Sequence, residues 1–255
     1  MNFLKAIILA AGYATRLYPL TINTPKALLP INNIPIITHI TKELNKIKEV
    51  DHIFVVSNSK FVSDFCNWQA ETQNISSIPI TIIDNGTSSA EERRGAIGDM
   101  HYAINNRNIV GEDIIVIAGD NYFTYDLEKY YNFYKSVNED CVCVKKVSNK
   151  NLLSQFAVAT IDENNKIIEL EEKPQVPKSN TAVYASYIYK EETVEFIKKY
   201  LDEGNNPDSP GYFIEWLYKI KNVMAYKIEG ECYDIGTFES YEEAQGLFKV
   251  ADKIS

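Results

Sequence analysis

The sequence predicts an α/β fold, a doubly wound and mostly parallel sheet with helices on both faces. Three observations carry this. Four short apolar runs, at residues 6–9, 51–57, 78–83 and 113–120, are nearly unbroken in isoleucine, valine and leucine, as strands buried on both faces of a parallel sheet are. Segments with helical spacing separate the runs, the alternation that winds a sheet on both sides. The first and fourth runs also empty into small residues, Ala10-Ala11-Gly12 and Ala118-Gly119-Asp120. Ligands of such sheets sit outside the carboxyl ends of the strands.

The elements follow in order. After the first strand, a loop rich in proline and threonine runs to Pro30 and does not favour a long helix. Residues 35–50 place Ile36, Ile37, Ile40, Leu44 and Ile47 near helical spacing. After the second strand, Ser59 is placed to cap a helix reaching about Glu71, with Phe61, Val62, Phe65 and Trp68 on its apolar side. Pro79 near the start of the third strand predicts poor pairing of its first residues. Residues 84–94 read as a polar loop and 95–106 as a helix. Beyond Asp126 a helix through Tyr134 leads to strands near 141–147, 156–161, 166–170 and 182–189, with a hairpin turn at 162–166. Helices near 192–201 and 212–220, a strand at 223–229 and a helix at 240–251 complete the pattern. No linker, repeat or low-complexity tract interrupts it. Residues 1–255 therefore read as one unit with two lobes, 1–125 and a strand-rich 126–255.

Composition bounds the function. The chain has 255 residues, 45% hydrophobic and 24% charged, ordinary for a globular protein. A net charge of −9, from 26 basic and 35 acidic residues, argues against a general nucleic-acid binder but leaves room for a local cationic cluster on a phosphate. No run approaches the roughly 18 apolar residues of a membrane span, and no small-residue cleavage site marks a signal peptide. Cys66, Cys141, Cys143 and Cys232 lack metal-ligand spacing. They read as buried thiols, which places the protein in a reducing compartment, the cytoplasm. His39, His52 and His101 are scattered and read as structural. Neither a P-loop nor a Gly-x-Gly-x-x-Gly fingerprint is present.

The first thirty residues organise the chain. The strand empties into Ala10, Ala11 and Gly12, whose lack of bulk lets backbone amides approach an anion. Arg16 and Lys26 follow on the loop. Amides that neutralise oxygens, with cations that balance moving charge, are what a nucleoside triphosphate needs.

Leu9-Ala10-Ala11-Gly12-Tyr13-Ala14-Thr15-Arg16-Leu17, then Pro19-Leu20-Thr21 and Pro25-Lys26-Ala27-Leu28-Leu29-Pro30, resembles the signature of nucleotidyltransferases acting on sugar 1-phosphates. Three further stretches resemble the same family in the same order: Ala118-Gly119-Asp120-Asn121, Leu170-Glu171-Glu172-Lys173-Pro174 and Tyr233-Asp234-Ile235-Gly236-Thr237. Within that family the chain resembles glucose-1-phosphate thymidylyltransferases. The resemblance implies the nucleotide-diphospho-sugar transferase type of the fold, with a sugar-binding second lobe. It implies Arg16, Lys26 and Asp120 as catalytic residues, Arg16 on the β- and γ-phosphates and Lys26 near the α-phosphate. It implies nucleotide contacts at Leu9, Ala10, Ala11, Gly12, Thr15, Asn85, Gly86 and Gly95. Sugar-phosphate contacts fall on Asn121, Ala157, Glu172, Lys173 and Val183, and Mg²⁺ on Asp120 and Asp234. In isolation each aspartate also reads as a turn carboxylate beside glycine, and Glu171-Glu172-Lys173 as a solvated cluster.

The implied partners are an NTP and a sugar 1-phosphate, with no nucleic acid and no membrane; monomer and homo-oligomer stay equally open. dTTP or UTP with a hexose 1-phosphate is favoured. Two alternatives remain beside it: a cytidylyltransferase for phosphocholine or another alcohol phosphate, and a non-catalytic nucleotide-sugar-binding module. The chain also departs from the family. Ala14 stands where glycine is usual, a constraint if φ there is positive. Arg94-Gly95-Ala96-Ile97-Gly98-Asp99 replaces the usual base-reading turn behind an insert at 87–94. Ala157 replaces a glycine, and Pro210-Gly211-Tyr212 replaces an Arg-Gly-Glu segment.

Overall fold

A computed structural model describes residues 3–72, 75–109 and 111–251, with the side chains of 150, 151 and 247–251 left aside. Strand β1 (Leu4–Leu9) opens into a loop with two short 3-10 turns, Thr15–Leu17 and Lys26–Leu28. A small hairpin, β2 (Pro30–Ile31) and β3 (Ile34–Pro35), turns through Asn32 and Asn33, both at positive φ, into α1 (Ile36–Leu44). Next come β4 (Val50–Ser57), α2 (Val62–Thr72), β5 (Ile80–Asp84), α3 (Ala96–Arg107) and β6 (Asp113–Ala118). Then follow β7 (Asn121–Phe123), α4 (Leu127–Val137), β8 (Asp140–Lys146), α5 (Lys150–Leu153), β9 (Ala157–Ile161), β10 (Ile167–Glu172) and β11 (Thr181–Tyr189). The chain continues through α6 (Glu191–Asp202), α7 (Pro210–Leu217), β12 (Val223–Lys227), β13 (Cys232–Asp234) and α8 (Phe238–Ala251).

The four apolar runs pair side by side and parallel, in the order β5-β4-β1-β6. β11 adds antiparallel to β6, β8 antiparallel to β11, and β12 parallel to β8. The β9–β10 hairpin joins the start of β11 through Ala182↔Val158 and Val183↔Ala157. The sheet is thus largely parallel, as the unbroken apolar runs predict. Alternation along each strand feeds two cores. Leu4, Ala6 and Ile8 pack with α1, α2 and α4 on one face, while Ile7, Phe54 and Val116 pack with α3, α6 and α7 on the other. No helix among the described residues is long and apolar enough to cross a membrane.

Several boundaries differ from expectation for local reasons. The fourth strand stops at Ala118, because the Gly119 N–H turns to the Leu9 carbonyl at 2.8 Å. A Cβ on Gly119 would stand 3.0 Å from that oxygen, so glycine lets the two strand ends close up without either shifting. β5 begins at Ile80, after Pro79, as the missing N–H predicts. The first helix ends at Leu44, and Val50 already belongs to β4. Ser59 is no cap: its hydroxyl donates to Asp84 Oδ1 at 2.7 Å, and Asn58 Oδ1 takes the Phe61 N–H instead. Cys141 and Cys143 are buried, but Cys66 is exposed on α2 and Cys232 is only half-buried. The histidines have local partners, His39 at the Ile31 carbonyl, His52 at Thr81 and His101 at Asn105.

Candidate active site

The carboxyl ends of β1 and β6 lie next to each other, held by the Gly119–Leu9 contact, and the site grows from that rim. Past Leu9, the Ala10 N–H bonds the Val56 carbonyl at 2.9 Å, and the Ala11 carbonyl accepts from Asn58 Nδ2 at 2.9 Å. These bonds fix the loop base. Gly12 faces open space, with no atom within 4 Å of where a Cβ would stand. Ala14 sits at φ 48°, ψ 41°, so the constraint implied by losing glycine is real there. A left-handed alanine is strained by about 1 kcal/mol. Thr21 Oγ1 and the Leu17 N–H both donate to the Ala14 carbonyl, at 2.7 and 3.0 Å, and hold the turn that begins Thr15-Arg16.

The two aspartates meet through a two-stranded ladder that the sequence did not disclose. β7 and β13 pair antiparallel with Asp234 opposite Asn121, and the Ile235 N–H bonds the Asp120 carbonyl at 3.1 Å. Lys26 Nζ lies 2.5 Å from Asp120 Oδ2 and 3.9 Å from Asp234 Oδ1. Burial first, then the Asp120 charge, raises the Asp234 pKa; Lys26, Arg16 and Lys173 pull it down. Asp234 keeps 52% of its side-chain surface open, so solvent tempers that rise without reversing it. Arg16, Lys26, Lys173 and both carboxylates therefore share one electrostatic neighbourhood.

Two carboxylates with an ammonium between them form a site whose geometry already accommodates positive charge. A hard divalent ion that keeps waters and substrate oxygens in its shell needs no more than one or two protein carboxylates. Among the described residues no group of three or more His, Cys, Asp and Glu could hold a metal. Asp120 and Asp234 fit Mg²⁺ on those terms.

The sugar-side residues also converge. Ala157 and Val183 are paired across β9 and β11, both buried, and Asn121 is buried in β7. Glu172 ends β10 with only 5% of its side chain exposed, and Lys173 follows at φ 48°. Lys173 Nζ lies 3.5 Å from Glu172 Oε1 and donates to Ser209 Oγ at 2.9 Å. Burial raises the Glu172 pKa, opposed by Lys173 and by a hydrogen bond from Ser209 and aided by the Glu215 charge. The departure at Pro210-Gly211-Tyr212 is the first turn of α7. A Cβ on Gly211 would overlap the Glu172 carboxylate, so glycine there is a close-approach requirement.

The base-reading segment requires a correction. Asn85 is buried, its Oδ1 accepts from Thr87 N–H and Oγ1 at 2.9 and 2.8 Å, and its Nδ2 donates to Asp99 Oδ1 at 2.7 Å. With both lone pairs of the amide oxygen and one of its N–H groups taken, the Asn85 side chain is held as scaffold. The Gly86 N–H is likewise engaged by Asp84 Oδ1 at 2.8 Å. Gly95 sits at φ 77° against the Pro207 carbonyl, where any Cβ would collide. The next two amides, Ala96 and Ile97, donate to Asp208 and Pro207 carbonyls at 3.3 and 2.9 Å.

Sequence reasoning missed Asp99, Ser209, Glu215 and this capping strap. Asp99 is pushed up to about 6 by burial, against the pull of Asn85 and Arg94. Arg94 Nε donates to the Asn85 carbonyl at 2.8 Å, and its guanidinium lies over Tyr102, 4.5 Å from the ring centre. The unusual insert at 87–94 was the available signal.

A parallel-sheet rim that gathers an arginine, two lysines and two aspartates at a small-residue loop defines a phosphate-handling, nucleotide-binding class of protein. Within that class, the chain belongs to the nucleotidyl transferase family, whose model matches residues 5–249. It is 31% identical over 236 residues to the bifunctional protein GlmU of Methanocaldococcus jannaschii, covering 91% of this chain and 51% of that protein. The chain thus spans about half the length of that curated relative. Glucose-1-phosphate adenylyltransferase of Clostridium acetobutylicum is 26% identical over 253 residues, covering 94% of this chain and 65% of the relative. Among solved structures, a Bacillus anthracis protein assigned as a glucose-1-phosphate thymidylyltransferase, in complex with a sucrose, superposes with a TM-score of 0.77 at 28% identity. That match covers 96% of this chain and 94% of the other. The resemblance read from the motifs is borne out at the level of family and fold.

Proposed function

We propose that the chain transfers a nucleoside monophosphate from an NTP to a sugar 1-phosphate and releases pyrophosphate. A phosphate oxygen of the sugar forms a bond to the α-phosphorus while the bond from that phosphorus to the bridging oxygen of the β-phosphate breaks, in line. No enzyme nucleophile is needed, so positioning and charge supply most of the rate. The observation that carries the reading is the meeting of Lys26 with Asp120 and Asp234, at 2.5 and 3.9 Å, within the electrostatic reach of Arg16 and Lys173.

In this reading Arg16 takes the leaving β- and γ-phosphates, Lys26 the α-phosphate, and Lys173 the sugar's phosphate. Glu172 accepts sugar hydroxyls, because a buried carboxylate is an acceptor suited to a diol edge. Leu9, Ala10, Ala11, Gly12, Thr15 and Gly95 line the nucleotide. Asp120 and Asp234 would hold Mg²⁺, which when bound supplies charge neutralisation on phosphate oxygens. Residues 1–125 form the nucleotide lobe and 126–255 the sugar lobe, with the two aspartates contributed one from each. The protein acts on soluble small molecules in the cytoplasm.

dTTP or UTP with a hexose 1-phosphate is the substrate assignment, supported by the likeness to the Bacillus anthracis protein. The test is pyrophosphate release from ATP, CTP, GTP, UTP and dTTP, each against a panel of sugar 1-phosphates and phosphocholine, with Mg²⁺ and with EDTA. Release with dTTP or UTP and a hexose 1-phosphate, abolished by EDTA, is expected. Release only with CTP and phosphocholine would move the assignment to an alcohol phosphate. No release from any pair would overturn the enzyme reading.

A further inference from the structure

The strap that caps α3 continues into a residue that touches the sugar-side pair. We infer, on the reading of Glu172 and Lys173 given above, that Ser209 is a positioning residue for the sugar 1-phosphate: its hydroxyl holds the Lys173 ammonium in place beside the Glu172 carboxylate.

Ser209 Oγ accepts from Lys173 Nζ at 2.9 Å, and the Glu172 carboxylate lies 3.5 Å from the same ammonium. A hydroxyl oxygen accepts without carrying charge, so it holds the cation and leaves its charge free for an anion. Lys173 needs such an anchor, because its side chain is 49% exposed and its ammonium lies 3.5 Å from Glu172 Oε1. A lysine stem carries about 2 kcal/mol of rotamer entropy, and holding it in advance leaves less to lose when a phosphate arrives. Ser209 stands at the N-cap position of α7, yet its side chain caps none of that helix's amides. The hydroxyl is committed elsewhere, to Lys173.

The backbone around Ser209 is fixed from the nucleotide side. Ile97 and Ala96 amides bond the Pro207 and Asp208 carbonyls, and Arg93 reaches Asp208 with Nε and Nη2 at 3.3 and 3.2 Å. Three consecutive residues thus run from the base-reading helix to the sugar-phosphate lysine. Around Glu172 stand Lys173 beside it, Glu215 on α7, Tyr187 on β11 and Tyr200 on α6.

The test is steady-state pyrophosphate release by wild type, Ser209→Ala and Ser209→Thr, with the best NTP and sugar 1-phosphate pair that wild type accepts. Thermal unfolding of each variant checks folding. Ser209→Ala is expected to raise KM for the sugar 1-phosphate about tenfold, with KM for the NTP within twofold of wild type. Ser209→Thr, which keeps the hydroxyl, restores the sugar 1-phosphate KM. An unchanged sugar 1-phosphate KM in Ser209→Ala overturns the inference, as does an equal rise in both KM values or a failure of threonine to rescue. Wild type that turns over no pair overturns the parent reading instead, and this inference with it.

Discussion

Gly211→Ala separates a contact from a conformational preference. Gly211 lies in the first turn of α7 and is not in the left-handed region, so alanine suits its backbone; in a helix that exchange gains about 0.5–1 kcal/mol. Sterically the opposite holds. The new Cβ would overlap the Glu172 carboxylate and stand 3.1 Å from Ala157 Cβ. Glu172 cannot simply swing aside, because its side chain is 5% exposed and its own N–H is tied to Glu215 Oε2 at 3.0 Å. Forced overpacking of this kind costs about 1–3 kcal/mol. The net effect is a loss of up to about 2.5 kcal/mol, with a fall of about 2–4 °C in Tm for each kcal/mol lost. Pushed from its place, Glu172 should also raise KM for the sugar 1-phosphate and leave KM for the NTP alone. The decisive assay is a double-mutant cycle by thermal or urea unfolding. In a Glu172→Ala background the same Gly211→Ala change has lost its main clash, and should be neutral or stabilising. If Gly211→Ala costs as much with Glu172 absent as with it present, the close-approach argument is refuted.

Three other outcomes follow from the same geometry. Asp120→Asn should lower kcat at least about a hundredfold, the order for losing a group that would hold the cation neutralising the transition state; wild-type turnover would remove Asp120 from the site. Asp99, raised from 3.8 to about 6 by burial, binds its proton more tightly folded than unfolded. Its stabilising effect is therefore full below pH 3.8 and lost as pH rises through 6, about 3 kcal/mol on the linkage scale. Asp99→Asn should flatten stability across that window in urea unfolding and make the protein more stable near pH 7; an unchanged pH profile refutes it. Asp126 accepts from the Glu128 and Lys129 N–H groups at 2.8 and 3.2 Å at the start of α4. Asp126→Ala should cost about 1 kcal/mol, seen as a lower Tm with unchanged KM values.

Much of the frame was legible because the physics that builds it is local. Buried parallel strands need apolar side chains on both faces, so β1, β4, β5 and β6 announce themselves within a few residues of sequence. Arg16 and Lys26 were legible for a related reason: cations close behind a small-residue strand end have few structural duties. β7 and β13 were not, at three residues each. A strand that short shows no period, and its partner lies on the far side of the second lobe. Only the likeness to the family placed Asp120 with Asp234 before the structure did.

Asn85 shows why polar residues at strand ends mislead. An asparagine beside glycine looks the same in sequence whether it faces a ligand or a buried carboxylate, and here the carboxylate is Asp99, fourteen positions away. The pairing explains the substitution pattern on both sides. A buried Asp99 needs a donor, Asn85 supplies it, and Thr87 then fills the remaining lone pairs. The Asn85 amide oxygen and one of its N–H groups are thereby spent inside the protein. Gly95 lies nearby, and its conformation at φ 77° and its packing against Pro207 both forbid a side chain. The strap that presses on Gly95 ends two residues later at Ser209, the neighbour of Lys173. One short segment therefore packs on Gly95 and holds the Lys173 ammonium. The 87–94 insert and the Pro210-Gly211-Tyr212 stretch are linked in space through it, since Arg93 from the first is bonded to Asp208 beside the second.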